Sequence, residues 1–519
     1  MTSPARIASL IAATLPLLVI ATLRAQTDPA AACARLTDEK MSSTTITAAQ
    51  AITGGSFTAP GSTNQMSNLP PFCRVAGTIA PSSDSHILFE VWLPLAKWNG
   101  KFAGVGNGGW AGAISYGPLQ DQLRRGYAAA STKTGHQAPP APMDMAKFAF
   151  EHPEQLIDFA YRAHHETTLK AKALVQAFYG KPAERAYWIG CSSGGYEGLT
   201  EAQRFPSDFD GIVAGAPANN WTRLMAGDLD CTQAVLKDPA SFLPASALGV
   251  LYRGVLAACD GADAVTDGVL DDPARCTFDP ATVLCAANQK AESCLTAAQV
   301  EAARRVYRGA RDPRTGARLY PGLAPGSEPF WPNRDPGSPF PIPVSHYKWL
   351  VFGDPNWDWK TFDLGQPADY EAFVKAETKL APILNATNPN LQEFRKRGGK
   401  LLQYHGWSDQ LIAAQNSIDY YESVRSALGG KVDDFYRLFM APGMAHCGGG
   451  PGPNSFDMQA ALEEWVEKGV APEQIIATHS TNGVVDRLRP LCPYPKVAVY
   501  KGKGDTNDAA NFVCSVSKR

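Results

Sequence analysis

The chain of 519 residues is 45% hydrophobic, enough apolar material for more than one ordinary domain, so two domains or one domain with a large insertion are expected. Its net charge of −2, with no basic block and no acidic tail, speaks against nucleic acid or an anionic membrane surface as partner. There is no internal repeat, and 40 prolines and 46 glycines point to a loop-rich protein.

Arg6 precedes an apolar segment at residues 7–23, and small residues surround a cleavage site after Ala25. The run is short for a span and contains Pro16, so residues 1–25 read as a secretory signal peptide, with an uncleaved anchor as the competing reading. The mature protein is expected to be secreted or periplasmic. Eleven cysteines without a CxxC spacing fit that compartment and predict a disulfide framework rather than a zinc or redox site.

From residue 26 to 221 strand-like and helical runs alternate. Residues 86–94 read as a strand ended by proline, and residues 101–105 and 126–131 as further strands. Residues 153–179 carry helical apolar spacing and stop at Gly180-Lys181-Pro182. The apolar run 186–189 enters Gly190-Cys191-Ser192-Ser193-Gly194-Gly195, and a helical stretch follows from Tyr196 to Phe205. Such alternation predicts a mostly parallel sheet covered on both faces.

Strand, sharp turn and helix around Gly190-x-Ser192-x-Gly194 form the pattern of a nucleophile elbow, which lifts the Ser192 hydroxyl above the sheet edge. The N–H of Ser193, at the helix start, would then point at a developing oxyanion. A second donor is expected from the glycine-rich loop Gly106-Asn107-Gly108-Gly109, where Gly108 is the candidate. His136, His164 and His165 are expected to be structural, since none of them follows the candidate aspartate in the chain.

Alternation stops after Trp221, and residues 222–397 are expected to be an insertion between sheet strands. Within it, residues 259–273 place Asp260, Asp263 and Asp267 on a glycine-bearing loop, the hard-oxygen chemistry that calcium takes. The acidic spacing is not that of an EF-hand. Trp331, Trp349, Trp357 and Trp359 could stack on an aromatic acyl group, Trp331 being the one placed in the substrate pocket.

Residues 398–519 should complete the sheet. The strand 400–404 leads to His405-Gly406-Trp407-Ser408-Asp409, and the strand 436–440 leads to His446-Cys447. A serine hydroxyl needs a histidine base and a carboxylate to orient it, and the order Ser192, Asp409, His446 is that of an α/β-hydrolase. Leu411 and Ile412 are candidates for the pocket wall. A Cys191–Cys447 bridge would tie the elbow to the histidine loop.

Gly-Cys-Ser-Ser-Gly-Gly, His-Gly-Trp-Ser-Asp and Gly-Met-Ala-His-Cys together resemble the tannase and feruloyl esterase family, and the likeness extends from about Cys33 to the C-terminus. The resemblance implies an α/β-hydrolase sheet with residues 222–397 as a lid domain over the serine. It implies a structural calcium on the side chains of Asp260, Asp263 and Asp267 and the carbonyls of Val265 and Val269, although Ala264 stands where the family often has glycine. It also implies the pairings Cys33–Cys73, Cys191–Cys447, Cys259–Cys276, Cys285–Cys294 and Cys492–Cys514, leaving Cys231 as a buried free thiol.

The expected function is a secreted serine esterase without organic cofactor. Its expected substrate is a small aromatic ester, free or attached to plant polysaccharide or polyphenol. Feruloyl and related hydroxycinnamoyl esters come first, with gallate esters or terephthalate monoesters as alternatives. Terephthalate would need a cation for its free carboxylate, and Arg334 and Lys348 are the candidates. A hydrolase-fold binding protein without catalysis would be expected to lack a member of the triad.

Overall fold

The computed structural model describes residues 1–2, 28–287, 289, 291–332, 335 and 337–516. Nearly all of the expected signal peptide, and Arg334, lie outside the described residues. One large sheet is built from β1 Thr44–Ile52, β2 Phe72–Ile79, β3 Ile87–Pro94, β4 Lys101–Val105, β5 Ala128–Thr132, β6 Arg185–Cys191, β7 Gly211–Gly215, β8 Lys400–Gly406 and β9 Tyr436–Ala441. Their spatial order is β1-β2-β3-β5-β4-β6-β7-β8-β9. Every pairing from β5 to β9 is parallel. Those from β1 to β5 are antiparallel, an edge that the apolar pattern did not announce.

Alternate residues of the central strands serve opposite faces. Phe102, Trp188, Ile212, Leu401 and Leu438 enter one buried cluster. Their chain neighbours Ala103, Tyr187, Val213, Leu402 and Phe439 enter another. Burial on both sides is what a parallel sheet between helices requires. Helices Ala163–Tyr179 and Ser193–Arg204 supply the first cluster; Tyr116–Arg124 and Met458–Lys468 supply the second.

The predicted helix 153–179 is helical throughout but not uniform. Pro153–Ile157 is α-helical, Asp158–Arg162 makes a π turn, and Ala163–Tyr179 continues to Gly180 at φ 71°. Within the π turn Asp158 is buried and receives Arg162 Nε at 2.5 Å. The stop at Gly180 follows from its left-handed backbone, which suits glycine.

Between Gly215 and Lys400 the chain leaves the sheet. Helices Trp221–Leu236, Ala245–Cys259, Ala297–Arg308 and Pro367–Leu384 lie in this insertion, joined by long loops. After β9, two antiparallel pairs follow: Ile475–Thr481 with Val484–Leu491, and Lys496–Tyr500 with Phe512–Val516. The structure contains the same five disulfides that the resemblance implies. Cys231 is free; the residue as a whole is half-buried, and burial, with the Asp230 and Asp228 charges adding, pushes its thiol well above the usual range. Among the described residues no helix is long and apolar enough to cross a membrane.

Candidate active site

Ser192 stands between β6 and helix Ser193–Arg204 at φ 63° and ψ −122°, a left-handed conformation that a non-glycine residue holds only when its surroundings impose it. They do so through three backbone bonds. Ser192 donates its N–H to Gly215 at 2.9 Å, and its carbonyl accepts from Tyr196 at 3.0 Å and Ala218 at 3.2 Å. Gly190 allows the turn to close, since a Cβ there would lie 2.3 Å from the Gly194 carbonyl oxygen.

The glycine-rich loop after β4 docks on the same helix start. Gly194 donates to the Asn107 carbonyl at 2.8 Å, and the Ser193 hydroxyl donates to the Gly109 carbonyl at 2.6 Å. Approach this close requires Gly106, whose added Cβ would meet the Gly194 Cα at 2.4 Å. The docking bonds do not use the N–H groups of Gly108 and Ser193. Glu197, five residues after the serine, accepts the Asn107 N–H at 3.0 Å. Burial pushes its carboxyl up to about 7, even with His164 pulling the other way. Glu197 was missed in the sequence; its spacing of three from Gly194, which puts both on the helix face that meets the glycine loop, is the signal that could have shown it.

Asp409 follows β8 and is completely shielded from solvent. Its Oδ1 accepts the N–H groups of Leu411 and Ile412, both at 2.9 Å, and its Oδ2 lies 2.8 Å from His446 Nδ1. Burial alone would raise this carboxyl, but the His446 charge and hydrogen bonds from His405 and His446 outweigh it and hold it well below the usual range. His446 responds in the opposite sense: burial lowers its pKa, the Asp409 charge and hydrogen bond raise it, and the net shift is upward.

His405 is a second residue that pattern reading passed over, although it opens the His-Gly-Trp-Ser-Asp motif. Tyr436 donates to Gln403 Oε1, which fixes the amide, so Gln403 Nε2 donates to Ser417 Oγ at 2.6 Å. Ser417 must therefore give its own proton to His405 Nδ1 at 2.7 Å. This leaves the proton on Nε2, 2.9 Å from the Ile412 carbonyl and 3.1 Å from Asp409 Oδ2. The buried chain ends on the carboxylate that faces His446.

The aspartate and histidine loops are sewn together. Trp407 donates to the Ala441 carbonyl and Ser408 to that of Met444, both at 2.9 Å. On the other side, Cys191–Cys447 holds the residue before Ser192 and the residue after His446 at a Cα–Cα distance of 6.0 Å. Serine, histidine and aspartate are thus gathered at the C-terminal ends of β6, β8 and β9, a constellation that can activate a hydroxyl by a histidine whose other nitrogen is held by a carboxylate.

The other predicted positions are distributed differently. His136 stacks on Phe148, His164 Nδ1 lies 2.6 Å from Glu201, and His165 Nδ1 lies 2.7 Å from Asp208. Leu411 is half-buried and Ile412 is buried. Trp331 is buried among insertion residues, edge-on to Tyr307, with Nε1 donating to Ser327 at 2.8 Å. Lys348 is not a free cation, because its ammonium sits 3.0 Å from Asp144, a partner more than two hundred positions away that no local pattern reveals.

In the acidic loop, Asp260 accepts the N–H groups of Asp267 and Gly268, and Asp263 accepts that of Val265 at 2.9 Å. Asp267 accepts Val269 N–H at 3.1 Å and Arg489 Nη2 at 2.7 Å. Ala264 has φ 70°, the backbone that glycine favours, which accounts for glycine as the commoner choice there. The donor chemistry fits a hard cation: carboxylates and carbonyls only, with Asp263 pushed up by burial and by the neighbouring Asp267 charge. The buried Arg489, also paired with Asp271 at 3.2 Å, already offsets part of the negative charge. Among the described residues, the group whose ligand atoms lie within 4.8 Å of one another is His165, Glu201 and Asp208, not this loop. A groove of about 620 Å³ runs between this loop and the C-terminal strands, away from Ser192.

The description "Tannase and feruloyl esterase" matches residues 73–335 and 344–515. The chain belongs to this family. It is 38% identical to an uncharacterized esterase of Xanthomonas campestris pv. campestris, over 97% of this chain and 94% of that protein. It is 34% identical to a probable feruloyl esterase B-2 of Aspergillus terreus, over 86% of each. The crystal structure of feruloyl esterase B from Aspergillus oryzae superposes with a TM-score of 0.86 at 29% identity, covering 94% of this chain and 100% of that one. The fold is that of the α/β-hydrolases and the protein is a carboxylic ester hydrolase.

Proposed function

We propose that this member of the family is an exported serine esterase that cleaves esters of aromatic acids, foremost feruloyl and related hydroxycinnamoyl esters, by a two-step acyl transfer. The observation that carries the reading is the 2.8 Å His446–Asp409 pair joined to the Ser192 turn by the Cys191–Cys447 bridge. His446 Nε2 takes the Ser192 proton as Oγ attacks the ester carbonyl, and the N–H groups of Ser193 and Gly108 hold the oxyanion. The carbonyl re-forms, the acyl–oxygen bond to the alcohol breaks, and His446 returns its proton to that oxygen. Water then attacks the acyl-enzyme with His446 again as base, and Ser192 leaves protonated. Asp409 orients the imidazole and stabilises its charged form.

In this reading residues 222–397 act as a lid domain, with Leu411, Ile412 and Trp331 contributing to the pocket. A calcium ion on Asp260, Asp263, Asp267 and the Val265 and Val269 carbonyls would cross-link the lid loop and take no part in the reaction. Five disulfides favour export through the segment at residues 1–25. The pairing of Lys348 with Asp144 weighs against a terephthalate carboxylate as the group recognised.

Hydrolysis of methyl ferulate, methyl gallate, mono(2-hydroxyethyl) terephthalate and a short p-nitrophenyl ester, by the disulfide-intact protein and by Ser192→Ala, tests the proposal. Serine-dependent preference for the ferulate is the expected result. A folded, oxidised sample without turnover of any of the four would remove it.

A further inference from the structure

Helix Trp221–Leu236 leaves the end of β7 beside the Ser192 turn, and its faces are used unequally. Arg223 and Asp230 pair with other parts of the insertion, through Glu377 at 2.5 Å and Arg305 at 2.6 Å. Trp221 points the other way, its ring packed on Trp110 of the glycine loop and Tyr196 of the nucleophile helix. Asp228 is seven residues on, so it falls on the Trp221 face, roughly 10 Å further along the axis. It is half-buried where Met225, Ala226, Gly227 and Leu229 around it are buried.

No side-chain hydrogen bond or ion pair at Asp228 is found among the described residues, and the charge that acts on it is that of Asp409. Its neighbour Gly227 is pressed against Tyr320, where a Cβ would come within 2.6 Å of Cδ1. The Tyr320 hydroxyl is buried without a hydrogen-bond partner, and Asp228 and then Asp409 are the foremost charges acting on it. Two hydrogen-bonding groups therefore lie within electrostatic reach of Asp409 with no side-chain partner among the described residues, and buried polar groups need partners.

We propose that Asp228, with Tyr320 beside it, is a specificity-determining residue that hydrogen-bonds a hydroxyl group of the ester substrate. The inference rests on the esterase reading and narrows it. Burial, with the Asp409 charge adding, pushes the Asp228 carboxyl well above the usual range, which favours the form that can donate as well as accept a hydrogen bond. A hydroxyl can satisfy both; a substrate carboxylate would meet the Asp409 charge, and no cation is paired with Asp228 among the described residues. A site built around a hydroxyl discriminates strongly against an analogue that lacks one, because its own polar groups are then left unpaired.

The hydroxyl can belong to the aromatic ring or to a sugar alcohol, and two substrate pairs separate these sources. Methyl caffeate against methyl cinnamate varies the ring hydroxyls; feruloyl arabinose against methyl ferulate varies those of the alcohol. For Asp228→Leu, kcat/KM is expected to fall at least about tenfold for the hydroxyl-bearing member of one pair and to stay within about twofold for its partner. Asp228→Asn, which keeps polar atoms and volume, should lose less, and Tyr320→Phe should show the same selectivity on a smaller scale. Equal loss on both members of both pairs, or no loss on any, overturns the inference while leaving the esterase intact. No serine-dependent turnover in the wild-type protein would bring down the esterase reading and this inference with it.

Discussion

The serine side of the site and the aspartate–histidine side are built by different means. Ser192 is held by its own neighbourhood: the β6 turn, three backbone bonds and glycines that let a loop and a helix start touch. Asp409 and His446 depend on distant parts of the chain: Cys191–Cys447 closes 256 positions, and the chain from Tyr436 to His405 supports the carboxylate from below. Close packing positions Ser192, whereas cross-links and buried hydrogen bonds position Asp409 and His446. The two halves should fail differently when perturbed.

The largest effect is expected on the base side. Asp409→Asn leaves the fold in place but offers His446 Nδ1 an amide instead of a carboxylate, and kcat should fall about 10³ to 10⁴-fold with an unchanged circular dichroism spectrum. On the nucleophile side, Gly106→Ala forces the glycine loop off the helix start; kcat should fall about 10² to 10³-fold, as for loss of one oxyanion donor, while KM moves little. A drop in KM-weighted binding alone would show that the loop binds rather than stabilises charge.

Comparing staples sharpens the contrast. In the chain-entropy view, removing the 256-residue Cys191–Cys447 closure costs up to about 5 kcal/mol, and removing the 9-residue Cys285–Cys294 closure up to about 2.5. Paired Cys→Ser variants at each bridge, melted side by side, should rank in that order, and only the first should also lose turnover. Equal losses would mean that the histidine loop is held by its backbone bonds instead.

Acidity acts on the base side through His446. In the proposed mechanism His446 must be neutral to accept the serine proton, and its pKa is raised, so the acid limb of kcat/KM should fall above the ordinary histidine value of 6.5 and move down in Asp409→Asn. The smallest effect concerns the acidic loop. Chelation should lower the melting temperature by a few degrees, with kcat per folded molecule unchanged, and added calcium should restore it; no shift would mean that Arg489 alone neutralises the loop.

How far the sequence could be read follows the same division. The elbow was legible because strand, glycine spacing and helix are adjacent in the chain, and β8 and β9 because buried parallel strands are continuous apolar runs. His405, Glu197 and Asp228 were not, since their roles arise from partners that only the folded sheet brings near. The antiparallel edge β1–β3 was hidden for a related reason: strand direction is a property of pairing, and Thr44–Ile52 is half-exposed and weakly patterned. The Asp144 partner of Lys348 likewise belongs to topology.

Arg489 carries one more consequence. It is buried and is the counter-charge for Asp267 and Asp271 more than two hundred positions earlier. During synthesis the acidic loop therefore waits, with its charges uncompensated by this residue, until more than two hundred further residues have been made, and Cys447 and His446 likewise arrive long after Ser192. The order of the chain thus sets a schedule in which the serine turn can form early but the competent enzyme is completed last.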